Sequence, residues 1–111
     1  MKITNYPDFV LLEDDDDDLK DFAGFIENQI KNKYQGQNVV LNLLKYDPLE
    51  LSDLLLFLET SNFHRKSKNS FVIVNNAIDI DVIPDEMIVV PTVEEAGDIV
   101  QMEEIERDLG F

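Results

Sequence analysis

The stretch that decides the fold is Asn38 to Leu58, NVVLNLLKYDPLELSDLLLFL. Val39 to Leu44 is a nearly continuous apolar run of strand length. Apolar side chains on both alternating sets imply cover on both faces, the pattern of a strand inside a parallel sheet. The leucine-rich half that follows changes period. Leu51, Leu54, Leu55 and Leu58 recur at helical spacing, and Leu56 and Phe57 widen the stripe, which predicts a deeply buried helix. Two starts are open to it. Asp47 can cap ahead of a first-turn Pro48, with Glu50 at the third helical position, or Ser52 can cap ahead of Asp53.

Working outward, the same alternation continues to the C-terminus. Phe71 to Val74 is a second buried strand, closed by a turn at Asn75-Asn76, and Met87 to Val90 is a third. Thr92-Val93-Glu94-Glu95 is a capping box that opens the last helix, with Ala96, Ile99, Met102, Ile105 and Leu109 expected inward. Ile78 to Ile83 is compatible with an edge strand, a single helical turn or a loop. Toward the N-terminus, Ile3–Tyr6 and Phe9–Leu12 flank a turn at Pro7-Asp8 and read as two short strands. Leu19, Phe22, Ala23, Ile26 and Ile30 then share one helical face, with Asp18 as cap and Gly36 at the exit. The fold class expected is α/β: one domain over residues 1–111, a mixed sheet of four or five strands with packed helices.

Composition narrows the function. The chain has 111 residues, 44% of them hydrophobic, enough for one domain with a proper core. Nine basic residues stand against 24 acidic ones, a net charge of −15. Such a field repels phosphate backbones and anionic lipid surfaces, so nucleic-acid and membrane partners are not expected. The start Met1-Lys2-Ile3-Thr4 lacks a signal-peptide core. The longest aliphatic/aromatic run, Leu54 to Leu58, falls far short of the roughly 20 residues of a membrane helix. A cytoplasmic location is the expectation. There are no cysteines, hence no disulfide, thiolate nucleophile or cysteine metal site.

Catalytic chemistry has few candidates. The single histidine, His64, falls in the basic helix end His64-Arg65-Lys66, where an exposed, dipole-complementing role is expected. The four glycines stand apart, so no phosphate-binding loop is formed. The run Asp14–Asp18 offers hard oxygen ligands for calcium or magnesium, but without the alternating spacing and turn glycine of a calcium loop. It reads as a solvated segment that favours the positive end of the next helix. No catalytic residue, cofactor or metal site is therefore assigned, and a metal-dependent hydrolase using the acidic run is the disfavoured alternative. Phe9 to Asp15 looks like the first strand and acidic pair of response-regulator receiver domains. The aspartate expected at the end of the third strand is absent, since Asn42, Leu43 and Leu44 stand there. The lysine expected before the last proline is also absent, because Val90 precedes Pro91.

The better resemblance is to the STAS domain of anti-sigma-factor antagonists and sulfate transporters. Val39-Val40-Leu41-Asn42-Leu43 resembles its central strand, usually written VVLDL. Glu50-Leu51-Ser52-Asp53-Leu54 falls where that family has Asp-Ser-Ser-Gly-Leu, and Phe71–Asn75 looks like the next strand. Val90-Pro91-Thr92-Val93-Glu94-Glu95-Ala96 is similar to its last strand and helix start. The resemblance implies a STAS-like fold and a phosphoacceptor role for Ser52, the second serine of the motif. Leu51 and Asp53 depart from the family pattern, and Asp53 adds bulk and charge beside the hydroxyl. The whole chain, and its ending Met102–Phe111 above all, also resembles short bacterial proteins sometimes labelled ribonuclease Z. That nuclease binds two zinc ions through several histidines and aspartates, a set that His64 alone cannot supply.

The function expected is thus non-enzymatic protein–protein interaction, regulatory in character. The joint Asp47–Leu55 presents Glu50 and Asp53 to a partner, with Ser52 as a candidate switch. Glu103, Glu104 and Glu106 form a second acidic surface on the last helix, for a basic partner or a second copy of the chain. Arg65, Lys66 and Lys68 could meet that surface in trans, which would favour a homo-oligomer.

Overall fold

In the computed structural model, which describes residues 1–110, five strands form one mixed sheet in the order β1-β2-β3-β4-β5. They are β1 (Lys2–Asn5), β2 (Val10–Glu13), β3 (Val39–Asn42), β4 (Phe71–Val74) and β5 (Ile88–Val90). β1 is antiparallel to β2, and every later pair is parallel. The expected α/β class with a mixed five-stranded sheet is therefore found. Phe111, which closes the C-terminal ending singled out above, lies outside the described residues.

Register explains the two cores. The rows Val10–Val39–Phe71 and Leu12–Leu41–Ile73–Val89 face one side, and Leu11–Val40–Val72–Ile88 the other, because successive side chains of a strand point to opposite faces. Against the first side lie α1 (Leu19–Asn32), with buried Phe22, Ala23, Ile26 and Ile30, and a broken helical segment over residues 51–66. Right-handed crossovers between sequential strands put successive helices on one face. Phe22 and Phe57 meet edge to face there, centroids 6.3 Å apart. α4 (Val93–Asp108) covers the other side through Ala96 and Val100.

Two expected caps hold, and the expected exit glycine lies three residues past the observed C-cap, Lys33. Asp18 accepts from the Asp21 amide at 3.1 Å, Thr92 Oγ1 accepts from the Glu95 amide at 3.1 Å, and Gly36 takes a positive φ of 80° after α1. The open segment Ile78–Ile83 contains a single 3-10 turn, Ile80–Val82, whose amide at Asp81 donates to Asp79 Oδ1.

Other expectations are corrected. The leucine-rich segment is not one buried helix. It breaks into α2 (Leu51–Leu54), a 3-10 turn (Leu55–Phe57) and α3 (Leu58–Lys66). Leu54 and Phe57 are fully buried, whereas Leu51, Leu55 and Leu56 are exposed. Neither Asp47 nor Ser52 is the cap. Glu50 is, and its own amide donates to Asp53 Oδ2 at 3.0 Å. Pro48 precedes the helix, the Asp47–Pro48 peptide being cis. Along α4 the expected inward set is only partly right, because Met102, Ile105 and Leu109 point outward.

Candidate functional site

The C-terminal ends of parallel strands form the rim where open α/β sheets place their sites, and the joint and the acidic run Asp14–Asp18 meet there. The joint between β3 and α2 rises from that rim. Leu43 and Leu49 are buried and pin it at two points. Between them, the Asn75 side-chain amide donates to the carbonyls of Leu43 at 2.8 Å and Tyr46 at 3.0 Å. Asn75 Oδ1 accepts from the amides of Ala77 and Ile78, both at 2.9 Å. One buried residue at the end of β4 thus holds the loop that carries the joint. Above this anchor, Glu50, Leu51, Ser52, Leu55 and Leu56 are exposed and Asp53 is half-buried. The Ser52 hydroxyl lies in solvent on the first turn, free of the capping role that Glu50 has taken.

The acidic run sits on the neighbouring strand end. Asp14, Asp15 and Asp16 bring carboxylate oxygens within 4.8 Å of one another, beside a cavity of about 310 Å3 that reaches Phe22 and Phe25. Most of these charges are partnered. Tyr46 donates its hydroxyl to Asp14 Oδ2, and Lys45 Nζ lies 3.3 Å from Asp17 and bonds the Asp16 carbonyl. The amine of Met1 bonds both carboxylate oxygens of Asp15 at 2.9 Å. Burial, and then the Asp14 carboxylate that its proton serves, push the Tyr46 phenol well above its ordinary range. Asn42, at the end of β3, donates to Glu13 Oε1 at 2.8 Å and accepts from the Leu44 amide. These contacts tie the acidic strand end to the joint. Two of the three clustered carboxylates, Asp14 and Asp15, are thus engaged within the fold, while that of Asp16 is exposed.

At the opposite rim the structure builds a polar seam that sequence reasoning missed. Asn38 donates to the Asp8 carbonyl at 3.0 Å and to Glu104 Oε1 at 2.6 Å. Its Oδ1 accepts from the Ser70 amide at 2.7 Å and from Arg107 at 3.3 Å. Arg107 also reaches Ser70 Oγ at 3.3 Å. Arg65 grips Glu103 with two donors, the shorter at 2.6 Å. Burial raises the Glu103 carboxyl, but Arg65, with Ser70 and Arg107, more than offsets this and holds it below its ordinary value. Of the expected acidic tail surface, Glu103 and Glu104 are therefore half-buried and bound within the fold, and only Glu106 is free at the surface. Arg65 meets that helix in cis rather than in trans.

His64 belongs to the same end and is the plainest correction. It is 1% exposed, edge-on to Phe71, with Nε2 2.6 Å from the Gln37 carbonyl. Burial lowers its pKa, the Gln37 contact opposing. The ring is sealed from solvent, against the exposed position expected of it. The signal that could have placed it is the spacing Thr60, Ser61, His64, the buried face of α3.

Among the described residues, no helix is long and apolar enough to cross a membrane. No protein-family model matches the chain, and no curated protein shows significant similarity to it.

Proposed function

We propose that this chain is a non-enzymatic binding module, STAS-like in its strand–joint–helix pattern, that presents the joint Asp47–Leu55 to a protein partner in the bacterial cytoplasm. The observation that carries the reading is the contrast at the joint. Its base is fixed by buried Leu43, Leu49 and the Asn75 clasp, while Leu51, Leu55 and Leu56 stand in solvent beside Glu50 and Ser52. Neighbouring exposed leucines on a rigid support are the kind of apolar patch a partner would cover. The net charge of −15 directs the module toward proteins rather than nucleic acids or anionic lipid. The test is a crosslinked pull-down of the tagged protein from its native cell, run beside a Leu51→Ser/Leu55→Ser double variant. A protein captured by the parent and lost by the variant supports the joint. Equal capture by both overturns it.

A second reading, a phosphorylation switch at Ser52, is favoured by one observation: the hydroxyl is exposed and has no capping duty. A phosphate there would gain from the helix start and lose to Glu50 and Asp53. Intact-mass analysis of the protein isolated from growing cells, compared with Ser52→Ala, decides it. Absence of a Ser52-dependent mass increase of one phosphoryl group removes the switch.

A further inference from the structure

The outer face of α4 is chemically unlike the rest of the surface. Met102, Ile105 and Leu109 are 50%, 60% and 66% exposed. They fall three and four residues apart, so they form one outward line about 10 Å long. Around that line stand Glu94, Glu95, Asp98, Glu106 and Asp108, all exposed. The one basic residue of the helix, Arg107, is turned to the sheet and bonded to Ser70 and Asn38. The outer face thus carries acids and apolar groups and no base. Glu106 and Asp108 also lie in the last turn, where the helix dipole disfavours negative charge unless a cation answers it. Nothing in the packing requires this arrangement, since Ala96, Val100, Glu103 and Arg107 already occupy the sheet-facing side.

We infer that this face docks a basic amphipathic helix of a partner protein. Its apolar stripe would cover Met102, Ile105 and Leu109, and its lysines or arginines would meet Asp98, Glu106 and Asp108. A second copy of the chain is the poorer occupant. A twofold pairing would set one acidic face, with its Asp98, Glu106 and Asp108 and no base, against an identical acidic face, and two chains of charge −15 repel before they touch. Of the basic residues that could have served in trans, Arg65 is taken by Glu103 in cis, which leaves only Lys66 and Lys68. The inference rests on the binding-module reading above, but it uses the sheet face opposite the joint, so the two can fail separately. Two turns of apolar contact make a small, transient interface.

The test is an amide NMR titration of the labelled full chain with a synthetic peptide of about five helical turns, leucines on one face and lysines elsewhere. A control peptide has the same composition in scrambled order. The expected result is saturable shifts confined to the outer positions of Asp98–Leu109, with the scrambled peptide and the Ile105→Ser variant each weaker by about tenfold or more. Asp98→Lys/Glu106→Lys should weaken binding as well, while the β2–β4 amides of every variant stay unmoved. Equal response to both peptides, or no saturable shift, overturns the inference. Shifts at residues 47–55 instead would overturn it and leave the joint standing. Concentration-dependent broadening of the α4 amides without peptide would overturn it in favour of a second copy.

Discussion

On one face of the sheet, α1 and the segment around Phe57 set Phe22, Ile26 and Ile30 against Val39, Leu41, Phe71 and Ile73. On the other, α4 alone sets Ala96 and Val100 against Val40 and Val72, then hands over to Glu103, Glu104 and Arg107. The first face is held by area and shape, the second by small side chains followed by a hydrogen-bonded seam. Apolar contact is tolerant of sliding, because a helix shifted slightly still buries much of its stripe. A seam in which Asn38, Ser70, Arg65 and Arg107 each need a named partner is not. The second face should therefore fix where α4 sits, and the first should supply most of the stability.

That contrast can be broken in graded ways. Phe57→Ala empties the centre of the large core and should cost about 3–5 kcal/mol in urea unfolding. Asn38→Ala leaves the Ser70 amide and Glu104 without their partner and should cost about 1–3 kcal/mol. It should also perturb α4 amides more than α1 amides. If Asn38→Ala moved α1 as much as α4, the division of labour between the faces would be wrong.

Glu103→Gln is smaller, about 1 kcal/mol at neutral pH, since the pair is only partly shielded. Here the sign is set by a lowered folded pKa. The unfolded chain titrates near the ordinary 4.5, so the stabilisation is complete above that value and fades as pH falls through the folded one. The gap between parent and variant should close in acid.

The smallest effect concerns the first face. His64 has its folded pKa lowered by burial from an ordinary 6.5. The unfolded chain therefore takes up the proton first, and stability should fall as pH drops below about 6.5. Measured against His64→Gln, the parent's advantage should shrink from pH 7.5 toward pH 5, both values being roughly a unit or more from the ordinary one. A constant advantage would show that His64 does not titrate in this window.

The strands and α1 were legible because their signals are local and redundant. Val39–Leu41 and Phe71–Val74 are apolar on both faces, and Asp18 marks the start of α1, while its end falls at Lys33, three residues before Gly36. The helices after β3 and β5 misled for one shared reason. In α3 the buried positions are Thr60, Ser61 and His64 while Phe63 is exposed, and in α4 the inward positions turn polar after Val100. Hydrophobic periodicity assumes that the apolar side faces the core. It fails where polar partners such as the Gln37 carbonyl and the buried Asn38 and Ser70 wait on distant segments. Those partners are single residues at strand starts, and nothing in their local sequence announces a network. At the joint, the location was legible and the chemistry was not. Glu50 rather than Ser52 became the cap because its amide meets Asp53 three residues on.

Asn75 has a kinetic consequence. One side chain satisfies the carbonyls of Leu43 and Tyr46 and the amides of Ala77 and Ile78. Neither loop can open without stranding the polar groups of the other, so the two should breathe as a single unit. In native-state hydrogen exchange, the Ala77 and Ile78 amides should share one opening free energy with the Tyr46 amide, and Asn75→Ala should split them. A partner that immobilised the joint would then slow exchange in the segment leading to Ile80, on a part of the chain it never touched.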